Sequence, residues 1–227
     1  MNKITIAIDG FSSTGKSTLA KQLAKELGYV YVDTGAMYRA VAYFASQHKL
    51  VSETHLDKEK LIAQLPNINL RFQFNPALGF AEMYLNNENV ENPIRTIEVS
   101  RLVSKVAEIS EVRAKLVEQQ QEMGKGKGIV MDGRDIGTVV FPDAELKLFM
   151  TSSANTRAQR RFDELVEKGQ RVTFEEVLQN VQERDYIDTN RADSPLVKAA
   201  DAIEIDNSAM TKKEQFDLVL HLVQEKL

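Results

Sequence analysis

Cysteine is absent from the 227-residue sequence, which excludes a thiol nucleophile, a disulfide framework and cysteine-ligated metal. No apolar run reaches the ~18 residues of a membrane-spanning helix, and Met1-Asn-Lys-Ile leads into strand-like sequence without a signal peptide's apolar stretch. A cytoplasmic protein with no membrane partner is expected. Excess positive charge is missing too: 29 Lys and Arg stand against 33 Asp and Glu, a formal charge of -4, so nucleic acid is not an expected partner. Histidine is scarce, and His48, His55 and His221 lack metal-site spacing and read as surface residues. There is no internal repeat. Gln119-Gln-Gln121 and Gly124-Lys-Gly-Lys-Gly128 read as a helix end and a turn. With 43% hydrophobic residues, the chain can bury a substantial core as one domain, residues 1–227, and the simplest expectation is a monomer.

What is present is a phosphate loop. Gly10-Phe-Ser-Ser-Thr-Gly15-Lys16-Ser17 follows the apolar run Ile4-Thr-Ile-Ala-Ile8 and precedes a helical pattern in which Leu19, Leu23 and Leu27 recur every four residues. Two glycines let backbone N–H groups wrap around phosphate oxygens, and the following helix offers its unpaired N–H groups and positive dipole end. Gly10, Ser12, Ser13, Thr14, Gly15, Lys16, Ser17 and Thr18 are therefore the candidate triphosphate residues. Lys16 would reach the outer phosphates, and Ser17 would offer a hydroxyl to Mg²⁺ alongside phosphates and waters.

The coarse pattern is α/β. Strands are expected at Lys3 to Ile8, Tyr29 to Val32, Gly128 to Met131, Leu146 to Met150 and Ala202 to Asp206. Helices are expected at Lys16 to Glu26, Ile97 to Ala107, Val112 to Met123 with Ser110 as cap, Ala154 to Glu167, Phe174 to Asp188 and Lys212 to Glu225. The apolar strands suit a parallel sheet covered by helices on both faces. Leu70-Arg-Phe-Gln-Phe74 alternates, and Asn86-Asn87 joins Phe80 to Leu85 with Glu88 to Val90, which predicts a small antiparallel insert over about 67–91. Its aromatics Phe72, Phe74 and Phe80 are expected to hold a core of its own.

A phosphate loop alone does not say whether the terminal phosphate goes to water or to a second substrate. Asp33-Thr34-Gly-Ala-Met-Tyr38-Arg39 places Thr34, Tyr38 and Arg39 after the second strand, where open parallel sheets bind ligands, and Arg39 can fork two phosphate oxygens. Asp132-Gly-Arg134-Asp135 ends another strand; either carboxylate could organise water around Mg²⁺ or accept from a base. Arg157, Arg160 and Arg161 share one side of a helix, and Arg184, Asp185, Asp188 and Arg191 form a later charged set. Several arginines can stabilise charge spread over a phosphoryl group in transfer.

Taken together, Asp33-Thr-Gly-Ala-Met-Tyr-Arg39, Asp132-Gly-Arg-Asp-Ile-Gly-Thr-Val-Val-Phe-Pro142, Glu183-Arg-Asp185 and Asn190-Arg191 resemble the bacterial cytidylate kinase family, over nearly the whole chain. The resemblance implies a P-loop kinase fold: a five-stranded parallel core sheet with helices on both faces, the insert lying in the monophosphate-binding region, and a lid over about 157–171. It implies transfer of the γ-phosphoryl group of ATP, with Mg²⁺, to CMP or dCMP, a step of pyrimidine metabolism. By matching motif, Ser104, Arg113 and Asp135 would meet cytosine, and Thr34 would sit near base and sugar with Tyr38 beside it. Arg39 and Arg134 would address the CMP phosphate, Arg184 and Asp188 the sugar region, and Arg191 phosphate. Lys16, Arg134, Arg157, Arg161 and Arg191 would carry the transferring charge. Thr34 stands where many relatives have serine, and Asp185-Tyr-Ile-Asp188 is less charged than in some. A kinase for UMP or another small acceptor, a regulatory P-loop NTPase and a non-catalytic nucleotide-binding module are the competing readings.

Overall fold

The computed structural model describes residues 3–227. Its elements run β1 (Thr5–Gly10), α1 (Lys16–Leu27), β2 (Val30–Asp33), α2 (Thr34–Gln47), α3 (Lys58–Gln64), β3 (Leu70–Asn75), β4 (Phe80–Leu85), β5 (Glu88–Asn89), α4 (Ile97–Ala107), α5 (Ser110–Gly124), β6 (Ile129–Gly133), β7 (Leu146–Thr151), α6 (Ala154–Glu167), α7 (Phe174–Asn190), β8 (Ile203–Asp206) and α8 (Lys212–Gln224). They fall into two compact units, one made of the chain up to Asp33 with Gln119–Leu227, the other of Thr34–Glu118.

In the first unit five strands form one parallel sheet in the order β2-β6-β1-β7-β8. The central strand β1 is buried at all six positions, which is why its sequence is apolar rather than alternating. Ile4, Ile6, Ile8, Val130, Leu146, Leu148 and Met150 pack on one face against Leu19, Ala20, Leu23 and Ala24 of α1 and Val219 and Val223 of α8. Burying Leu23 contributes about 2 kcal/mol, and Leu23→Ala would also leave a cavity. On the other face Phe149 meets Phe11 edge-on at 6.1 Å, and the Arg157 guanidinium of α6 lies 5.1 Å from the Phe11 ring.

Strand β1 runs two residues beyond the expected Ile8 because Asp9 and Gly10 continue to pair, Asp9 with Gly133 and Phe149, Gly10 with Met150. Helix α5 includes Ser110 instead of starting after it. The last helix begins as expected: Thr211 accepts from the Glu214 N–H while Glu214 reaches back to the Thr211 N–H, a full capping box.

The second unit has its own core, in which Met37 and Val41 of α2, Val103 and Val106 of α4, and Leu116 of α5 surround Met83 and Leu85 of the antiparallel sheet β3-β4-β5. Asn86 and Asn87, with φ of 47° and 72°, make the two-residue turn between β4 and β5, where the strand twist requires left-handed residues. The insert has no separate core, contrary to expectation. Leu70, Phe72 and Phe74 share one strand face, yet Leu70 is 8% exposed, Phe72 is half-buried on the helical core and Phe74 is 63% exposed. That face starts on the helices and runs out into solvent.

Candidate active site

The phosphate loop is shaped by backbone. Gly10 has φ +141°, and a Cβ there would lie 2.0 Å from the Met150 carbonyl oxygen, so β7 leaves no space for a side chain. Ser13 (φ 59°) and Gly15 (φ 90°) also take left-handed angles, curling the loop before α1 begins at Lys16. No acidic residue occupies the first turn of α1, leaving its positive end uncompensated. Lys16 is buried, with Nζ donating to the Phe11 carbonyl at 2.5 Å and to Thr14 Oγ1 at 3.3 Å. Burial, and then the Arg134 guanidinium, push its pKa well below the usual lysine value, while Asp132 and Asp9 pull the other way. Ser12 and Thr14 are buried, Ser13 and Gly15 half-buried, and Thr18 faces solvent. The Ser12 hydroxyl has no hydrogen-bond partner among the described residues.

The two carboxylates nearest the loop differ in role. Asp9 accepts from the Ile136 N–H at 2.8 Å and the Gly137 N–H at 2.7 Å, which ties the chain after β6 to β1. Asp132 accepts from Ser17 Oγ at 2.9 Å through one oxygen and from the Tyr31 hydroxyl at 2.8 Å through the other. Burial, reinforced by Asp33, raises its pKa from the ordinary 3.8 to about 6, against the pull of Lys16 and the two hydroxyls. A hydroxyl beside a carboxylate is an oxygen donor set that fits a hard dication. Among the described residues no group of three His, Asp or Glu side chains could hold a metal by itself, so phosphates and waters would have to complete the shell. Asp135, the other carboxylate of the motif, is buried and opens the short turn Ile136–Val140.

Helix α7 gathers the later charged set. Asp188 accepts from Arg134 Nε at 2.8 Å and lies 3.7 Å from Arg191, whose guanidinium also donates to the Ser194 carbonyl at 2.8 and 2.6 Å. Burial alone would raise the Asp188 pKa, but Arg134, Arg184 and Arg191 outweigh it and hold the carboxyl below its usual range. Half-buried Arg134 and the buried Arg184, Asp188 and Arg191 thus share one network close enough to Lys16 for both Arg134 and Arg184 to depress it.

The arginines of α6 divide. Arg157 is 4% exposed, forks the Asp185 carboxylate at 3.0 and 2.6 Å, and donates to the Ser12 carbonyl at 3.3 Å. Arg160 reaches Asn207, donating to Oδ1 and to the backbone carbonyl, each at 3.0 Å. Arg161 pairs along its own helix with Glu164 at 2.8 Å, and Glu164 also takes Lys168; burial opposes but these two cations hold the Glu164 carboxyl down at about 2. Sequence reasoning passed over Tyr31 and Asn207. Asn207 directly follows β8 at a carboxyl strand end, and that position was the available signal.

In the second unit Thr34 opens α2, and Tyr38 and Arg39 lie one turn further on. The Arg113 guanidinium of α5 sits 5.5 Å from the Tyr38 ring centroid and donates to the Ala107 carbonyl at 3.3 Å. Thr34, Ser104 and Arg113 are all buried, an unusual concentration of polar side chains on helices whose neighbours are hydrocarbon.

A cytidylate kinase family model matches residues 6–225. A cytidylate kinase of Flavobacterium johnsoniae is 75% identical over 225 residues, covering 99% of this chain and 98% of that protein. One from Bacteroides fragilis is 55% identical over 227 residues, covering 100% and 99%. The crystal structure of an uncharacterized protein from Eubacterium ventriosum aligns with TM-score 0.50 at 10% identity over 99% of each chain, a likeness of fold alone. On this evidence the chain belongs to the cytidylate kinase family.

Proposed function

We propose that the protein transfers the γ-phosphoryl group of ATP to CMP or dCMP, giving ADP and CDP or dCDP. The observation that carries this reading is the phosphate loop itself: Gly10 and Gly15 take left-handed angles that curl it, no acidic residue occupies the first turn of the helix it leads into, and Lys16 is buried where that helix begins. A polyphosphate is the anion that a glycine-bracketed loop before a helix N-terminus accepts. The cytidylate kinase relatives supply the acceptor.

The chemistry needs no strong general base. Near neutral pH a nucleoside monophosphate is largely a dianion, with its second pKa about 6. One of its oxygens attacks the γ-phosphorus, the bond to the bridging oxygen breaks and ADP leaves; the protein aligns, neutralises and excludes water. We assign the triphosphate to the Gly10–Thr18 segment, with Lys16 on the transferring phosphoryl group. Ser17, with Asp132 behind it, would hold Mg²⁺, which when bound would supply charge neutralisation on the donor oxygens. Arg39, Arg134 and Arg191 take the acceptor phosphate, and Arg184 and Asp188 its sugar region. Asp135 accepts from the cytosine amino group while Arg113 donates to the ring, with Ser104, Thr34 and Tyr38 completing the acceptor side. Arg157 and Arg161 stabilise the transferring charge from a lid over about 157–171. The protein acts as a cytoplasmic monomer.

Incubation with ATP, Mg²⁺ and each nucleoside monophosphate, followed by separation of the diphosphates, tests the reading. CMP and dCMP should be phosphorylated well ahead of UMP. Phosphate release without any diphosphate product would contradict it.

A further inference from the structure

A peptide unit is planar and trans, so each N–H points opposite to the carbonyl of the preceding residue. Holding a carbonyl from outside therefore aims the next amide. Two carbonyls of the phosphate loop are held in this way, and a third is held from within. Phe11 O accepts from Lys16 Nζ and Thr14 Oγ1, both within the loop itself. Ser12 O accepts from Arg157 at 3.3 Å. Thr14 O accepts from Asn207 Nδ2 at 2.6 Å, the shortest bond from outside the loop and one that spans 193 residues of sequence, and from Arg160 at the longer distance of 3.5 Å.

Asn207 is built to do this. It is 1% exposed, and its backbone N–H donates to the Thr151 carbonyl at 3.0 Å, continuing the ladder beyond β8. A guanidinium can only donate, so Arg160 at 3.0 Å fixes which end of the amide is Oδ1. Gln215 Oε1 takes the second Nδ2 proton at 2.5 Å. Both amide protons are thereby engaged, one on Gln215 and one on Thr14, and neither is left for a ligand. A Cβ on Gly15 would lie 3.9 Å from Asn207 Nδ2, so the asparagine abuts the peptide it restrains.

We propose that Asn207 is a positioning residue for the phosphoryl donor: by holding the Thr14 carbonyl it aims the Gly15 N–H into the phosphate cradle, while Arg160 and Gln215 fix the orientation of its amide. The inference rests on the donor reading of the loop given above and extends it to a residue outside every motif of the sequence. Preorganised loop amides act on charge only when they already point at it, and a peptide free to rotate would have to be ordered by the ligand.

The test uses full-length Asn207→Ala, Asn207→Asp and Gln215→Ala, with calorimetric binding of ATP, inorganic tripolyphosphate and CMP, and the melting midpoint of each unliganded protein. Tripolyphosphate has neither base nor sugar and reports the cradle alone. Asn207→Ala should weaken ATP and tripolyphosphate together by about tenfold while leaving CMP affinity unchanged. Asn207→Asp should weaken them further, because a carboxylate oxygen then faces the Thr14 carbonyl. Gln215→Ala keeps Asn207 and only loosens its amide, so a loss of about two- to threefold is expected, and this variant carries the test if the Asn207 variants fail to fold. Unchanged tripolyphosphate binding in the folded variants would overturn the inference, as would equal losses for tripolyphosphate and CMP. A graded tripolyphosphate loss in a protein whose wild type transfers nothing to CMP would support the inference and overturn the acceptor reading instead.

Discussion

The phosphate loop and the polar cluster of the Thr34–Glu118 unit lie in different surroundings, the one among polar groups from distant parts of the chain and the other among helices packed through hydrocarbon. Loop groups are pinned by directed polar contacts: Lys16 on Phe11 O, Arg157 on Ser12 O, Asn207 on Thr14 O and Ser17 on Asp132. Arg113 joins a directed contact, to the Ala107 carbonyl, to a place over the Tyr38 ring among helices packed through hydrocarbon. A directed network fixes atoms to a fraction of an ångström but fails when one member is removed. A packed apolar frame is set by volume and tolerates loss of a polar passenger more readily.

The largest expected effect comes from removing the charge the loop is built around. Lys16→Met should lower kcat by about 10²–10³, the range for removing one preorganised electrostatic contact. Its melting midpoint should not fall, because burial already disfavours the charged amine. Steady-state rates and thermal melts check both halves, and a destabilised, fully active variant would break the distinction between site and scaffold.

Arg157→Ala should cost about 3–5 kcal/mol of stability, because it strands the largely buried Asp185 and frees the Ser12 carbonyl. A double variant, Arg157→Met with Asp185→Leu, should recover much of that stability without recovering ATP affinity. Denaturant midpoints and ATP binding separate the two effects. Recovery of both would mean that the fork serves stability only.

On the acceptor side, Asp135→Asn should reduce preference for CMP over UMP by about five- to 150-fold, corresponding to about 1–3 kcal/mol, read from kcat/KM for the two acceptors. Preference that survives the substitution would move base reading elsewhere.

Asp132 sharpens the comparison through pH. Its carboxyl rises from 3.8 to about 6 on folding, so between those values the folded protein holds a proton that the unfolded chain releases, and stability falls as pH rises through that window. Asp132→Asn should therefore stabilise the protein by about 1–3 kcal/mol at pH 8 and leave it unchanged below about pH 4, while turnover drops. Melts at the two pH values check the sign. The smallest effect belongs to the insert: Phe74→Ser, at a 63% exposed position, should change stability by less than about 0.5 kcal/mol.

The parts readable from sequence were those whose cause is local. Gly10, Gly15 and Lys16 are set by the turn they make, and the apolar runs of β1, β6 and β7 follow from burial on both faces of one sheet. The tip of the insert was misread because alternation in β3 reports which face a residue shares and not how far the covering helices extend, so Phe74 looked like Leu70. The restraints on the loop were out of reach for a related reason. Asn207 meets Thr14 across 193 residues, and Arg157 on α6 finds Asp185 on α7 across 28, so only the assembled fold makes them neighbours. Arg157, Arg160 and Arg161 share one helix side in sequence but have three different sets of partners in the fold.

The central claim is that the terminal phosphoryl group moves from donor to acceptor without passing through water. ATP labelled at the γ-phosphorus, incubated with CMP and Mg²⁺, tests it most directly. The label should leave ATP at the rate CDP forms and be recovered almost entirely in CDP. Label recovered as inorganic phosphate at a rate indifferent to CMP would contradict it.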